Sequence, residues 1–186
     1  MPTGPAGARF YAPPARLVAG APGTVIWARS IRTPRGLSAA ARTILVLYRS
    51  VLPNGTPTAV SGLIFTPRGT APKGGWKLIS WAHGTTGIAD SCAPSRDVAT
   101  DDMYPEFNGW LGRGYAIAQT DYQGLGTPGV HLYLVGRAEG ASVVDIVLAA
   151  RRLVPAIGRR FAIAGHSQGG QAALSAAAQH PQMRPG

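Results

Sequence analysis

The chain has 186 residues, 45% of them hydrophobic and 14% charged, and a mean hydropathy of +0.05, a globular composition long enough for one domain or part of one. No run approaches the roughly 18 apolar residues of a membrane span, and the single cysteine, Cys92, excludes an internal disulfide or a cysteine-built zinc site. The net charge of +10 would suit a polyanion, but Lys73 and Lys77 are the only lysines and the arginines are spread from Arg9 to Arg184, so no nucleic-acid surface is expected.

Residues 1–23 read as a loose arm, wrapping or disordered, because Pro5, Pro13, Pro14 and Pro22 interrupt any period. The arm lacks the apolar core of a secretory signal. Residues 24–186 read as part of one domain. Residues 43–51 and 58–65 are β-rich runs joined by Pro53-Asn54-Gly55-Thr56, and Asn-Gly between such runs predicts a hairpin. A third strand, residues 76–81, leads into His83-Gly84-Thr85-Thr86-Gly87.

Residues 103–113 predict a short helix that Gly114 stops in the left-handed conformation. Asp101, Asp102 and Glu106 read as its acidic start rather than a metal site. A buried strand, residues 115–120, exits through Asp121-Tyr122-Gln123-Gly124-Leu125-Gly126, and His131 falls in a loop expected to face solvent. In a predicted helix over residues 139–154, Val143, Val147, Ala150 and Val154 share one face, a stripe for packing on a sheet. Asp145 on that helix is expected to be a surface or loop-anchoring carboxylate. Trp27, Trp76, Trp81 and Trp110 read as core. An antiparallel start followed by alternating strands and helices gives an α/β fold with a mostly parallel sheet and catalytic groups at the carboxyl ends of its strands.

Gly165-His166-Ser167-Gln168-Gly169 fits Gly-x-Ser-x-Gly between a short apolar strand, residues 161–164, and an alanine-rich helix, residues 170–179. A sharp strand-to-helix turn of this kind holds a serine in a strained conformation, with flanking glycines that remove colliding Cβ atoms. Ser167 is therefore the candidate nucleophile. The Gln168 amide, at the helix start, is a candidate oxyanion donor, and His166 is expected to point away. Acyl transfer needs a second amide donor from the loop after the third strand, and Thr85 or Thr86 can supply it.

These motifs, with Ser91-Cys92-Ala93-Pro94-Ser95 and Thr120-Asp121-Tyr122-Gln123-Gly124-Leu125-Gly126, resemble the α/β-hydrolases, and more narrowly the secretory lipase family that includes lipase A-like esterases. The resemblance implies hydrolysis of carboxylic esters, including acylglycerols, without metal or organic cofactor. It also implies secretion, a helical cap over the acyl pocket, contact with a lipid interface, and Asp121 and Tyr122 as residues shaping the loop near the site. Such enzymes place the triad Asp and His after the serine, yet no Asp or Glu follows Ser167. His180 would lie roughly 20 Å along the same helix. The Asp, the His, the cap and a partner for Cys92 would belong to a segment beyond these residues. The chain then reads as an N-terminal portion, inactive or weakly active alone, with residues 161–164 as an exposed apolar edge. The elbow also admits an acyltransferase, a serine peptidase or a non-catalytic ester-binding domain.

Overall fold

A computed structural model describes residues 2–17, 19–98 and 102–179. Nine elements follow in chain order: β1 (Val25–Ile31), β2 (Ala40–Val51), β3 (Pro57–Pro67), β4 (Trp76–Ala82), α1 (Tyr104–Gly112), β5 (Tyr115–Thr120), α2 (Gly136–Leu153), β6 (Ile157–Gly165) and α3 (Gln168–Gln179). The strands form one sheet in the order β1-β2-β3-β5-β4-β6.

The β2–β3 hairpin closes where Asn-Gly predicts it. Gly55, at φ +84°, lies in the 52–56 loop, Leu52 N–H donates to Thr56 O at 2.8 Å, and the Asn54 side chain accepts from Thr56 N–H at 3.0 Å. Along β2 alternate residues go to opposite faces. Leu45 and Leu47 join Phe65, Trp81, Phe107 and Leu111 on the α1 side, whereas Ile44, Val46 and Tyr48 join Leu78, Ile146 and Val147 on the α2 side. Both faces are covered, so the strand is a nearly continuous apolar run.

The sheet is mixed rather than mostly parallel. β4 lies parallel to β5 and β6, whereas the β1–β2, β2–β3 and β3–β5 pairings are antiparallel. Connection length is the reason: the short 32–39 and 52–56 links permit only a hairpin return, and parallel neighbours need a helical crossover such as α1 or α2. β6 stands at one end of the sheet, with Phe161 and Ile163 half-buried and Leu174 of α3 76% exposed beside it.

Residues 2–17 wrap the α1 side of the sheet. A 3₁₀ turn at Gly7–Tyr11 buries Phe10 and Tyr11. Trp27 Nε1 donates to Phe10 O at 2.9 Å, and Tyr11 OH donates to Ser95 O at 2.7 Å. Aromatic burial outweighs the prolines that make this segment look loose, since Phe10 also packs edge-on against Trp27.

Asp145, a possible surface carboxylate from sequence, is buried at 3% exposure and accepts from Ser50 Oγ at 2.7 Å. It faces the sheet because its position on α2 adjoins Ile146 and Val144 on the packed side. Burial pushes its pKa up to about 7. A carboxyl raised in the folded state contributes stability that is present below the unfolded value and lost as pH rises through the folded one. Asp145→Asn has no charge to bury, so its stability relative to wild type is expected to climb between pH 4 and 7. The climb should approach about 1.4 kcal/mol for each pH unit inside that window, and urea titrations across it measure the slope; a difference flat with pH would contradict the assignment.

Candidate active site

Only His166 and Ser167 separate β6 from α3. Ser167 is exposed and sits at φ +53°, a region a non-glycine residue enters at a cost of about 1–3 kcal/mol. Neighbouring hydrogen bonds hold it there: His166 N–H donates to Ala82 O at 3.2 Å, Gly169 N–H to His166 O at 2.7 Å, and Gly170 N–H to Ser167 O at 2.9 Å. A Cβ at Gly165 would collide with Gly169 O, and one at Gly169 with Ala82 O. The glycines in the motif are thus dictated by close backbone approach. The Gln168 amide begins α3, among the first N–H groups that have no acceptor inside a helix.

The 83–87 loop rises beside this turn. A Cβ at Gly84 would be 3.0 Å from His166 Nδ1 and 3.6 Å from Ser167 Cβ, so the loop carrying Thr85 and Thr86 flanks the serine. Both threonines are exposed, and with His166 and Ser167 they line a cavity of about 610 Å³. Thr85 Oγ1 is 3.1 Å from Tyr133 OH. His83 is buried, its Nδ1–H donates to Gly84 O at 2.6 Å, and burial pushes its pKa down to about 4. It is neutral at pH 7, and its Nε2 is buried without a hydrogen-bond partner.

Asp121 and Tyr122 act from below. Asp121 is fully buried and accepts from Ser61 Oγ at 2.5 Å, Ser95 N–H at 3.0 Å and Ser95 Oγ. Burial pushes its carboxyl up to about 6 against those donors. It fixes Ser95, whose neighbours Ala93 and Pro94 form one wall of the cavity. Tyr122, at φ +71°, donates its hydroxyl to His83 O at 2.8 Å. Both carry loop-shaping contacts.

His131 departs from the exposed loop position expected of it. It is 8% exposed, its ring lies parallel to Tyr122 at 6.2 Å, and its Nδ1 is 3.2 Å from Gln123 O. Gly124 is the cause: at φ +69° it meets the backbone of Val130 so closely that no Cβ would fit, and the loop folds inward. His131 Nε2 is then 3.1 Å from Gln168 Nε2. Glu139, not singled out from sequence, is 1% exposed and accepts from Gln168 Nε2 at 2.6 Å. Its signal was present, since it stands one helical turn before Val143 on the apolar stripe. Among the described residues no hydrogen bond joins Ser167 to a histidine, and Asp101 and His180 lie outside them. Asp102 lines the cavity, and Glu106 stands in the first turn of α1. No helix among the described residues is long and apolar enough to cross a membrane.

The sheet order, the crossovers and the strand–serine–helix turn define a lipase-like α/β-hydrolase fold. Within that class, residues 98–186 match the family model for secretory lipase. The rice cell wall degrading esterase LipA from Xanthomonas oryzae superposes with a TM-score of 0.73 at 24% identity, over 89% of this chain and 47% of that one. Lipase A from Candida antarctica in its closed state gives 0.81 at 22% identity, over 94% and 42%. The chain therefore spans less than half the length of either. No curated protein matches the sequence.

Proposed function

We propose that the chain carries the nucleophile and oxyanion-hole half of a carboxylic ester hydrolase site, with Ser167 as nucleophile and small-molecule or lipid esters as substrates. The observation that carries this is Ser167 exposed at φ +53° between two glycines, at the mouth of a cavity. Its Oγ attacks the ester carbonyl, and the Gln168 amide and an amide of the Thr85-Thr86 turn hold the tetrahedral oxyanion. Its collapse breaks the ester C–O bond and expels the protonated alcohol to leave an acyl-serine, and water then releases the carboxylic acid and restores Ser167. The serine proton needs a base. His83 is buried and neither it nor His131, which bonds Gln123 and Gln168, is hydrogen-bonded to Ser167, and the order Ser, Asp, His puts that base after the elbow helix.

The 186-residue chain alone is therefore expected to turn over slowly, at the level of oxyanion hole and binding, about 10³–10⁴ over water. Hydrolysis of short- and long-chain p-nitrophenyl esters measures this, beside prolonged incubation with a fluorophosphonate and mapping of the adduct. An adduct on Ser167, absent from Ser167→Ala, supports the nucleophile assignment. A fluorophosphonate that leaves Ser167 untouched would sink it, and a kcat in the ordinary enzyme range of about 1–10³ s⁻¹ would sink the missing base.

A further inference from the structure

The oxyanion amide of Gln168 belongs to a residue whose side chain points the other way, into the protein. Gln168 is 3% exposed, and its Nε2 makes two contacts: it donates to Glu139 Oε1 at 2.6 Å and lies 3.1 Å from His131 Nε2. With His131 Nδ1–H donating to Gln123 O, the Nε2 lone pair is free to accept the second Gln168 proton. Both protons of the amide are thereby used. Glu139 Oε1 also accepts from Leu134 N–H at 3.0 Å, tying the start of α2 to the same point. The three side chains are all buried, at 1%, 3% and 8% exposure, where a hydrogen-bonded network is rigid and a broken one is costly.

The same stretch of chain reaches the other donor loop. Tyr122 OH holds His83 O, and Tyr133, against His131 at 6.0 Å, reaches Thr85 Oγ1. One segment, from Tyr122 to Glu139, thus contacts both loops that flank Ser167.

We propose that Glu139 and His131 are positioning residues that, by clamping the Gln168 side chain from beneath, fix the direction of its main-chain N–H at the developing oxyanion. The inference rests on the esterase assignment for its catalytic consequence. An oxyanion donor acts only if it is aimed where charge develops, so the clamp matters in the transition state rather than in substrate binding. Where no base assists Ser167, the hole supplies most of the rate, which makes that rate a direct report on it.

Gln168→Met keeps the main-chain amide and the side-chain length while removing both contacts. Glu139→Ala removes the acceptor, and Glu139→Gln retains one. Two readouts separate the inference from the function it rests on. Amide hydrogen exchange over residues 167–170, measured in the free protein, is expected to quicken about 10-fold in Gln168→Met and Glu139→Ala, with the strands unchanged and Glu139→Gln recovering most of the protection. For p-nitrophenyl butyrate, kcat is expected to fall about 10-fold with KM unaltered, less than the 10²–10³ for deleting a donor outright. Unchanged exchange in Gln168→Met overturns the clamp whatever the activity, and should Glu139→Ala not fold, Gln168→Met still decides. Quickened exchange with an unchanged kcat overturns its catalytic role. A wild type with no ester hydrolysis overturns the esterase assignment, and the exchange data then decide the clamp alone.

Discussion

Gly169→Ala is expected to be about 3 kcal/mol less stable than wild type, a fall of roughly 6–12 °C in melting temperature. The added methyl would be driven into Ala82 O and would lie 2.7 Å from His83 O. Both are backbone atoms with no freedom to swing aside. Ala82 O also receives His166 N–H, so any retreat of β4 loosens the turn as well. The adjacent glycine gives the internal control. A Cβ at Gly170 has only Gly165 O within reach, at 3.9 Å, and alanine in a helix is worth about 0.8–1 kcal/mol over glycine. Gly170→Ala should therefore be stabilised. Two neighbouring glycines with substitutions of opposite sign, read in thermal melts, test the geometry of the turn more closely than either alone, and a destabilised Gly170→Ala with a tolerant Gly169→Ala would contradict it.

Ser167→Gly is expected to separate function from stability. Glycine occupies φ +53° without the penalty a side chain brings there, so the variant should gain about 1 kcal/mol in urea unfolding. It should also form no fluorophosphonate adduct at position 167 and lose all serine-dependent hydrolysis. A residue kept for packing would behave in the opposite way. If Ser167→Gly were destabilised, the strain at this position would have to be offset by a contact of the Ser167 hydroxyl.

Local chemistry made part of this molecule legible. Gly-x-Ser-x-Gly announced the turn because close backbone approach leaves no residue but glycine at 165 and 169, and residues 115–120 coincide with β5 because turn-forming residues bound the run on both sides. β1 carries no comparable signal. Its residues bury irregularly, with only Ile26 fully inside and a register shift between Val25 and Trp27, so no clean alternation marks it. α2 begins at Gly136, three residues before the start expected at Glu139, because the apolar period does not extend through Gly136. Gly136 and Gly140 are there for helix packing: a Cβ at Gly140 would be 2.9 Å from Ala176 N, and one at Gly136 3.1 Å from Ser175 Cβ. The burial of His131 depends on Gly124 meeting Val130 across a loop, a contact that no local period encodes.

The wall of the cavity beside Ser167 is held from a distant part of the chain. Tyr11 donates to the carbonyl of Ser95, 84 positions away, and Arg96 lies over the Tyr11 ring at 4.1 Å. Ala93 and Pro94, just before that anchor, line the same cavity as Ser167. The amino-terminal arm thus supports that wall from outside the site. A change at residue 11 would therefore reach the cavity through Ser95, far along the chain from the turn that carries Ser167.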